Sequence, residues 1–200
     1  MYKVLLTAYL TFSLLNGKGQ QLVTKYPSWI IFYKKFLTKI DTPKLNKNDF
    51  QIRLWFNNQF NVINTACLIS LSKIGDNWTA TSYKFTTFYR KNDSCVVQKL
   101  NDVQINIDSL YNELVKNGVN NIYNFDIPDS INRVRLEEQV TLLHGPRFYT
   151  LQLISKSKNW FRTFADPQYF YSRYKINELE APANIIKAIL TSFQINPYSL

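Results

Sequence analysis

Between residues 50 and 100 the chain reads with a period of two, rich in aromatic and β-branched residues and cut by short polar turns. A period of two belongs to strands, whose successive side chains point to opposite faces, whereas a helix repeats every ~3.6 residues. Phe50-Gln51-Ile52-Arg53-Leu54-Trp55 alternates, and Asn57-Asn58 breaks the run. Val62–Ser72 is an apolar strand, Ile74-Gly75-Asp76-Asn77 a turn, and Trp78–Phe88 the returning strand. A hairpin centred on Gly75-Asp76 sets Cys67 opposite Lys84. Arg90–Ser94 is a further polar turn leading into Cys95–Leu100. The pattern predicts a meander of antiparallel strands.

Helical spacing appears on either side. Ser28 is a suitable N-cap, and Trp29, Phe32, Phe36 and Ile40 recur on one face, which predicts a helix over 29–40 ended by Asp41-Thr42-Pro43. Asp108-Ser109 reads as the cap of a second helix, with Leu110, Tyr111, Leu114 and Val115 inward and Asn117-Gly118 as a left-handed stop. Residues 119–131 read as loop. Val134–Leu143 and Phe148–Ile154 flank His144-Gly145-Pro146-Arg147 as a hairpin, and Ser155–Asn159 turns the chain into the strand Trp160–Ala165. Asp166-Pro167 reads as a loop presenting the aromatic run QYFYSRY. A closing helix is expected from Ala183 to Phe193, with Ile185, Ile186, Ile189, Leu190 and Phe193 as its apolar stripe. This order predicts an α+β fold: one domain over residues 20–200, an antiparallel sheet of about six to eight strands with two or three helices on one face.

The first residues read differently. Lys3 precedes an uncharged run from Val4 to Leu15 with no Gly or Pro, and Gly17 and Gly19 follow at the small-residue positions of a cleavage site. A run of about a dozen residues suits a signal peptide and is short of the ~20 needed to span a bilayer. Residues 1–19 are therefore expected to be a signal peptide, cut before Gln20, and the protein exported to a periplasm or the exterior with no membrane span in the mature chain.

The formal charge of +10 falls to +8 once Lys3 and Lys18 leave with that segment. A positive field draws polyanions. The cations are scattered, however, and the densest group, from Lys25 to Lys47, is interrupted by apolar residues and Asp41. Export and scatter together point away from nucleic acid. Five glycines in the whole chain, two of them in the leader, give no material for a phosphate-cradling loop.

Catalytic constellations are sparse. His144 is the only histidine, and no G-x-S-x-G elbow accompanies it. One functional alternative is an exported hydrolase using His144 as general base with Asp126 or Glu138 brought close by folding. Glu137 and Glu138 would face opposite sides of a strand, and Glu178 and Glu180 precede the last helix, where they complement its dipole. A tetrahedral metal site needs three or four clustered ligands, and Asp126-Ile-Pro-Asp129 lacks the alternating ligand run of a calcium loop. No metal and no cofactor is expected. Cys67 and Cys95 enclose 27 residues. A bridge closing such a loop would stabilise by ~3–4 kcal/mol, but the hairpin register sets Cys67 against Lys84, and free, buried thiols are the expectation.

Aromatics interleaved with cations are the remaining signal: Phe88-Tyr89-Arg90-Lys91, Arg147-Phe148-Tyr149, Trp160-Phe161-Arg162 and Tyr169–Lys175. Such side chains stack on sugars or on a partner protein, although aromatics also simply favour strands. With export, positive charge and no catalytic set, the expected function is a non-catalytic binding module for a protein or glycan, with Trp160, Arg162, Tyr169, Tyr171 and Arg173 as its binding residues. Asn77-Trp78-Thr79 and Asn92-Asp93-Ser94 match the glycan-acceptor pattern of a eukaryotic secretory path.

The segments YTLQLISKSKNWFRTFADPQYF and IGDNWTATSYKF resemble segments of exported bacterial proteins of unknown function. The resemblance implies export and an α+β domain and supplies no catalytic residue.

Overall fold

Among the described residues six strands form one antiparallel sheet: β1 (Phe50–Asn58), β2 (Ile63–Ile74), β3 (Asn77–Phe88), β4 (Cys95–Lys99), β5 (Phe148–Ser155) and β6 (Asn159–Ala165). Their spatial order is β4-β3-β2-β1-β5-β6. The computed structural model describes residues 30, 35–40, 42–58, 63–88, 95–100, 103–125 and 147–197. Among these residues three α-helices accompany the sheet, besides the helical Ile30: α1 (Ile107–Lys116), α2 (Pro167–Tyr174) and α3 (Glu180–Ser192). The expected α+β class and antiparallel sheet are present, and so are the two expected helices that fall on described residues, α1 and α3; α2 lies where a loop was expected.

The first four strands are the meander the alternation predicts. Ile74 pairs with Asn77 across the two-residue loop Gly75-Asp76, and Cys67 sits opposite Lys84. Gly75 adopts φ 57°, a left-handed value that costs glycine nothing because it has no Cβ. β1 runs to Asn58, so Asn57-Asn58 ends the strand from within it.

The pairing of β1 with β5, Phe50 opposite Ser155 through Asn57 opposite Phe148, is non-local and joins the meander to the β5–β6 hairpin. It also corrects one expectation. Both edges of β5 are occupied, by β1 and by β6, so a hairpin between Val134–Leu143 and Phe148–Ile154 has no free edge to use. Residues 134–143 themselves, His144 and residues 1–19, expected as a signal peptide, lie outside the described residues. So does most of the helix expected over 29–40. Of it, Ile30 is helical, and Leu37–Lys39 form a 3-10 turn that ends as Ile40 turns extended.

The N-cap of α1 is Asn106, whose Oδ1 accepts from the Ser109 backbone N–H at 3.0 Å, two residues before the Asp108-Ser109 cap expected. At the other end Gly118, φ 80°, is the left-handed stop. The expected loop beyond it begins instead as a 3-10 segment, Val119–Asn124. Asp166-Pro167 also corrects the reading: it opens helix α2. Proline at N1 lacks only an N–H that would be orphaned there anyway. Asp166, at φ 37°, makes the sharp turn out of β6, and its Oδ2 accepts from the Arg147 backbone N–H at 2.7 Å.

The helices cover one face of the sheet. Ile52, Leu54, Phe56, Cys67, Ile69, Leu71, Tyr149, Leu151 and Leu153 face Leu110 and Leu114 of α1, Phe170 of α2, and Ile185, Ile186, Ile189 and Leu190 of α3 in one buried cluster. Each such side chain contributes roughly 1.5–3 kcal/mol by leaving water. The opposite face is divided. Towards β3 and β4, Trp55, Leu68, Phe85 and Cys95 pack with Ile30 and Phe36. Towards β5 it is polar.

Candidate functional site

The strand register builds a row of aromatic side chains at one end of the helix-covered face. Trp78, Lys73, Phe50 and Ser155 lie side by side across β3, β2, β1 and β5. In the next row inward are Ala80, Leu71, Ile52, Leu153 and Trp160. Helix α1 lowers Tyr111 onto this end, and the 3-10 segment after Gly118 adds Asn120. Phe50 meets Trp78 edge-to-face at 5.5 Å and Tyr111 at 5.5 Å, while Trp78 and Tyr111 are 4.9 Å apart. Pairs in these geometries contribute about 0.5–1.5 kcal/mol beyond their buried area.

Beside the cluster a cleft of about 250 Å³ remains, lined by Phe50, Tyr111, Asn120, Leu153, Ser155 and Trp160. Phe50, Tyr111, Ser155 and Trp160 are half-buried and Asn120 is exposed, so the cleft reaches solvent. One lysine lies over a lining ring, Trp160, and a second over Trp78, which packs on the lining residues Phe50 and Tyr111. Lys158 Nζ lies 4.8 Å from the Trp160 ring centre, and Lys73 Nζ lies 5.9 Å from that of Trp78. Among the described residues that line the cleft none is a carboxylate. It offers apolar ring faces, an amide, a hydroxyl and positive charge.

The structure divides the five residues expected to bind. Trp160 lines the cleft. Arg162 instead braces the chain: its Nε donates to the Phe125 carbonyl at 3.1 Å. Tyr169, Tyr171 and Arg173 lie on α2. Tyr169 packs on Phe170 and Tyr174 at 5.4 and 6.4 Å, against the core. The Tyr171 hydroxyl is bonded to the Glu180 carboxylate, which, with burial second, raises its pKa. Arg173 is exposed and lies over Tyr174 at 5.7 Å. Asp166-Pro167 thus places these three on a packed helix.

The sequence reading did not assign Phe50, Tyr111, Asn120, Ser155 or the two lysines to a site. Trp78, directly after the Gly75-Asp76 turn, carried some signal as a bulky residue at a strand end. Nothing local sets Phe50 beside Ser155.

A second group of polar residues was also missed, on the sheet's other face. Gln51 Nε2 donates to Ser72 Oγ at 2.6 Å, and Arg53 Nε donates to Gln51 Oε1 at 2.6 Å. Trp55 Nε1 donates to Gln152 Oε1 at 3.2 Å, and Gln152 Nε2 donates to Asn159 Oδ1 at 2.9 Å. Gln51, Arg53, Ser70, Ser72, Thr150 and Gln152 are all buried. The strict alternation of FQIRLW was the available signal, since it sends Gln51 and Arg53 to the same side as Trp55.

Among the described residues no group of three or more His, Cys, Asp or Glu is placed to hold a metal ion. Nor is any helix among them long and apolar enough to cross a membrane. His144, Asp126 and Glu138 lie outside the described residues. No family model matches the chain, and no curated protein matches it.

Proposed function

We propose that the protein is an exported, non-catalytic binding module that seats a ring-shaped group of its partner in the cleft between the sheet end and α1. The observation that carries this reading is the cleft's construction. Phe50, Tyr111 and Trp160 come from three separate elements and meet at an opening to solvent, with Asn120 and Ser155 as adjacent hydrogen-bonding groups. Ligand sites commonly pair apolar and aromatic walls with a few polar groups that fix orientation. Export rests on the N-terminal run Val4–Leu15 with Gly17 and Gly19 behind it.

The test is ligand-observed and protein-observed NMR with a panel of monosaccharides, disaccharides and short aromatic peptides. A ligand that seats in the cleft shifts the Trp160 indole N–H. Trp160→Ala then abolishes binding with a modest fall in thermal midpoint, because the ring is only half-buried. A folded protein whose Trp160 resonance no ring ligand moves would remove the cleft as a binding site. Export is checked separately, by N-terminal sequencing of natively produced protein, with Gln20 as the expected first residue.

A further inference from the structure

We infer that the ring seated in this cleft is anionic, an acidic saccharide unit such as a hexuronate within a glycan; this rests on the cleft being the binding site. Three features select that chemistry. Volume comes first. At about 250 Å³ the cleft lies below the ~300–1,000 Å³ of pockets for drug-sized ligands, so it holds a single ring and leaves the rest of the ligand in solvent.

Polarity comes second. Asn120 supplies two donors and an acceptor, and Ser155 a donor and acceptor hydroxyl, both beside the ring faces. A hydroxyl-bearing ring uses such groups around its rim while its C–H face rests on Trp160 or Tyr111. The aromatic side chain of a peptide, with no polar rim in the case of Phe, leaves them unused.

Charge comes third. Lys158 stands over the Trp160 ring, which lines the cleft, and Lys73 over the Trp78 ring, which packs on Phe50 and Tyr111. The described residues of the cleft lining include no acid. A cationic ligand meets the positive charge of Lys158 beside Trp160, and a neutral ring leaves that charge unused. A carboxylate on a ring stacked at Trp160 lies beside the Lys158 ammonium and gains a charge-assisted hydrogen bond from it. Because Lys158 is exposed, that gain is a modest one and is screened by salt.

The experiment titrates the full chain with a disaccharide ending in glucuronate, its neutral counterpart ending in glucose, and a short acidic peptide containing Phe, following the Trp160 and Trp78 indole resonances. The acidic disaccharide is expected to bind roughly tenfold tighter than the neutral one at low salt, and the difference to shrink at high salt. Lys158→Gln should weaken the acidic ligand roughly three- to tenfold and leave the neutral ligand unchanged, and Lys73→Gln, over a ring outside the lining, should weaken it less than Lys158→Gln does. Equal binding of the two disaccharides, or binding of the peptide alone, would overturn the acidic-saccharide assignment while leaving the cleft a binding site. Failure of all three probes to move either resonance in a folded protein would count against the assignment and against the binding reading together.

Discussion

Asp49 and Gly75 are joined across the end of the sheet: Asp49 Oδ1 accepts a hydrogen bond from the Gly75 backbone N–H at 2.9 Å. The other carboxylate oxygen accepts from the Asn46 backbone N–H at 2.7 Å. One buried side chain thus clamps the lead-in to β1 against the β2–β3 turn. The residues either side of this clamp are Phe50, at the start of β1, and the Lys73–Trp78 pair flanking the turn. The clamp therefore holds the aromatic row in place without belonging to the cleft.

The clamp makes stability depend on pH. Backbone hydrogen bonds from Gly75 first, and from Asn46 second, hold the Asp49 carboxyl below its ordinary 3.8 against the opposing effect of burial. A folded-state pKa below the unfolded one contributes stability that is complete above the unfolded value and is lost as pH falls through the folded one. Asp49→Asn should lower the thermal midpoint at pH 5–7, and its gap to wild type should narrow as pH drops below 3.8. Thermal melts of both proteins across that range check this. A gap that stays constant down to pH 2 would show that the carboxylate charge does not matter.

Gln51 is the hinge of the buried polar network, bonded to Ser72 through its amide nitrogen and to Arg53 through its oxygen. Gln51→Leu keeps the volume but removes the acceptor used by Arg53 Nε and the donor used by Ser72. Leaving buried polar groups unsatisfied costs ~1–3 kcal/mol each, so the variant should lose about 2–4 kcal/mol in urea unfolding. Adding Ser72→Ala to it should recover part of that loss, since one orphaned hydroxyl then disappears. A single variant within 0.5 kcal/mol of wild type, about the spread of ordinary surface changes, would mean the network is not structural.

Local patterns carried the meander and the last helix, because the determinants are themselves local. Gly75-Asp76 sets a two-residue loop, and a two-residue loop sets the register that brings Cys67 to Lys84. The apolar stripe of α3 is visible as Ile185, Ile186, Ile189 and Leu190. The cleft is different. Its walls come from β1, α1, β5 and β6, and their meeting depends on β1 pairing with β5. No turn connects those two strands, so no local signal specifies them as neighbours. Trp160 was legible as an aromatic beside cations, whereas Arg162 carried the same signature and turned out to hold the Phe125 carbonyl. The α2 segment was misread because Asp-Pro serves equally as a loop and as a helix start. The choice between them lies in the Asp166–Arg147 backbone and side-chain bonds, made to a residue far away in sequence.

Tyr171 ties α2 to the first residue of α3. Its bond to Glu180 stabilises the protonated phenol and raises its pKa above 10.0, with burial adding to the effect. Here the sign is reversed from that of Asp49. A raised folded-state pKa gives stability that is complete below the unfolded value and is lost as pH climbs through the folded one. Glu180→Gln should bring the Tyr171 titration back towards 10.0, followed by NMR of labelled tyrosine, and should flatten the loss of stability above pH 10. A Tyr171 titration unchanged by Glu180→Gln would remove this contact as the cause.

Cys67 and Cys95 are both buried and both free, and the sheet itself keeps them apart. Cys67 belongs to β2 and faces the helices with Ile69 and Leu71, whereas Cys95, in β4, packs in the cluster on the opposite face with Trp55 and Phe85. β3 lies between their strands. Two strand spacings of ~4.8 Å exceed the ~7 Å Cα separation a disulfide tolerates, and the side chains point to opposite sides. Burial also suppresses reactivity. It pushes the Cys67 thiol up to about 12, against a smaller opposing effect of Lys84, and it raises Cys95 despite Lys39 and the Thr86 backbone. At pH 8 a thiol with a pKa near 12 is ionised to roughly one part in ten thousand, and the thiolate is the nucleophile. Native protein treated with a thiol-specific alkylating agent at pH 8 should therefore remain essentially unlabelled at Cys67, with Cys95 slow. The same protein unfolded in guanidinium without reductant should take up two labels per chain, read by mass spectrometry. Zero labels after unfolding would mean the two sulfurs are bonded to each other, which this arrangement of strands forbids.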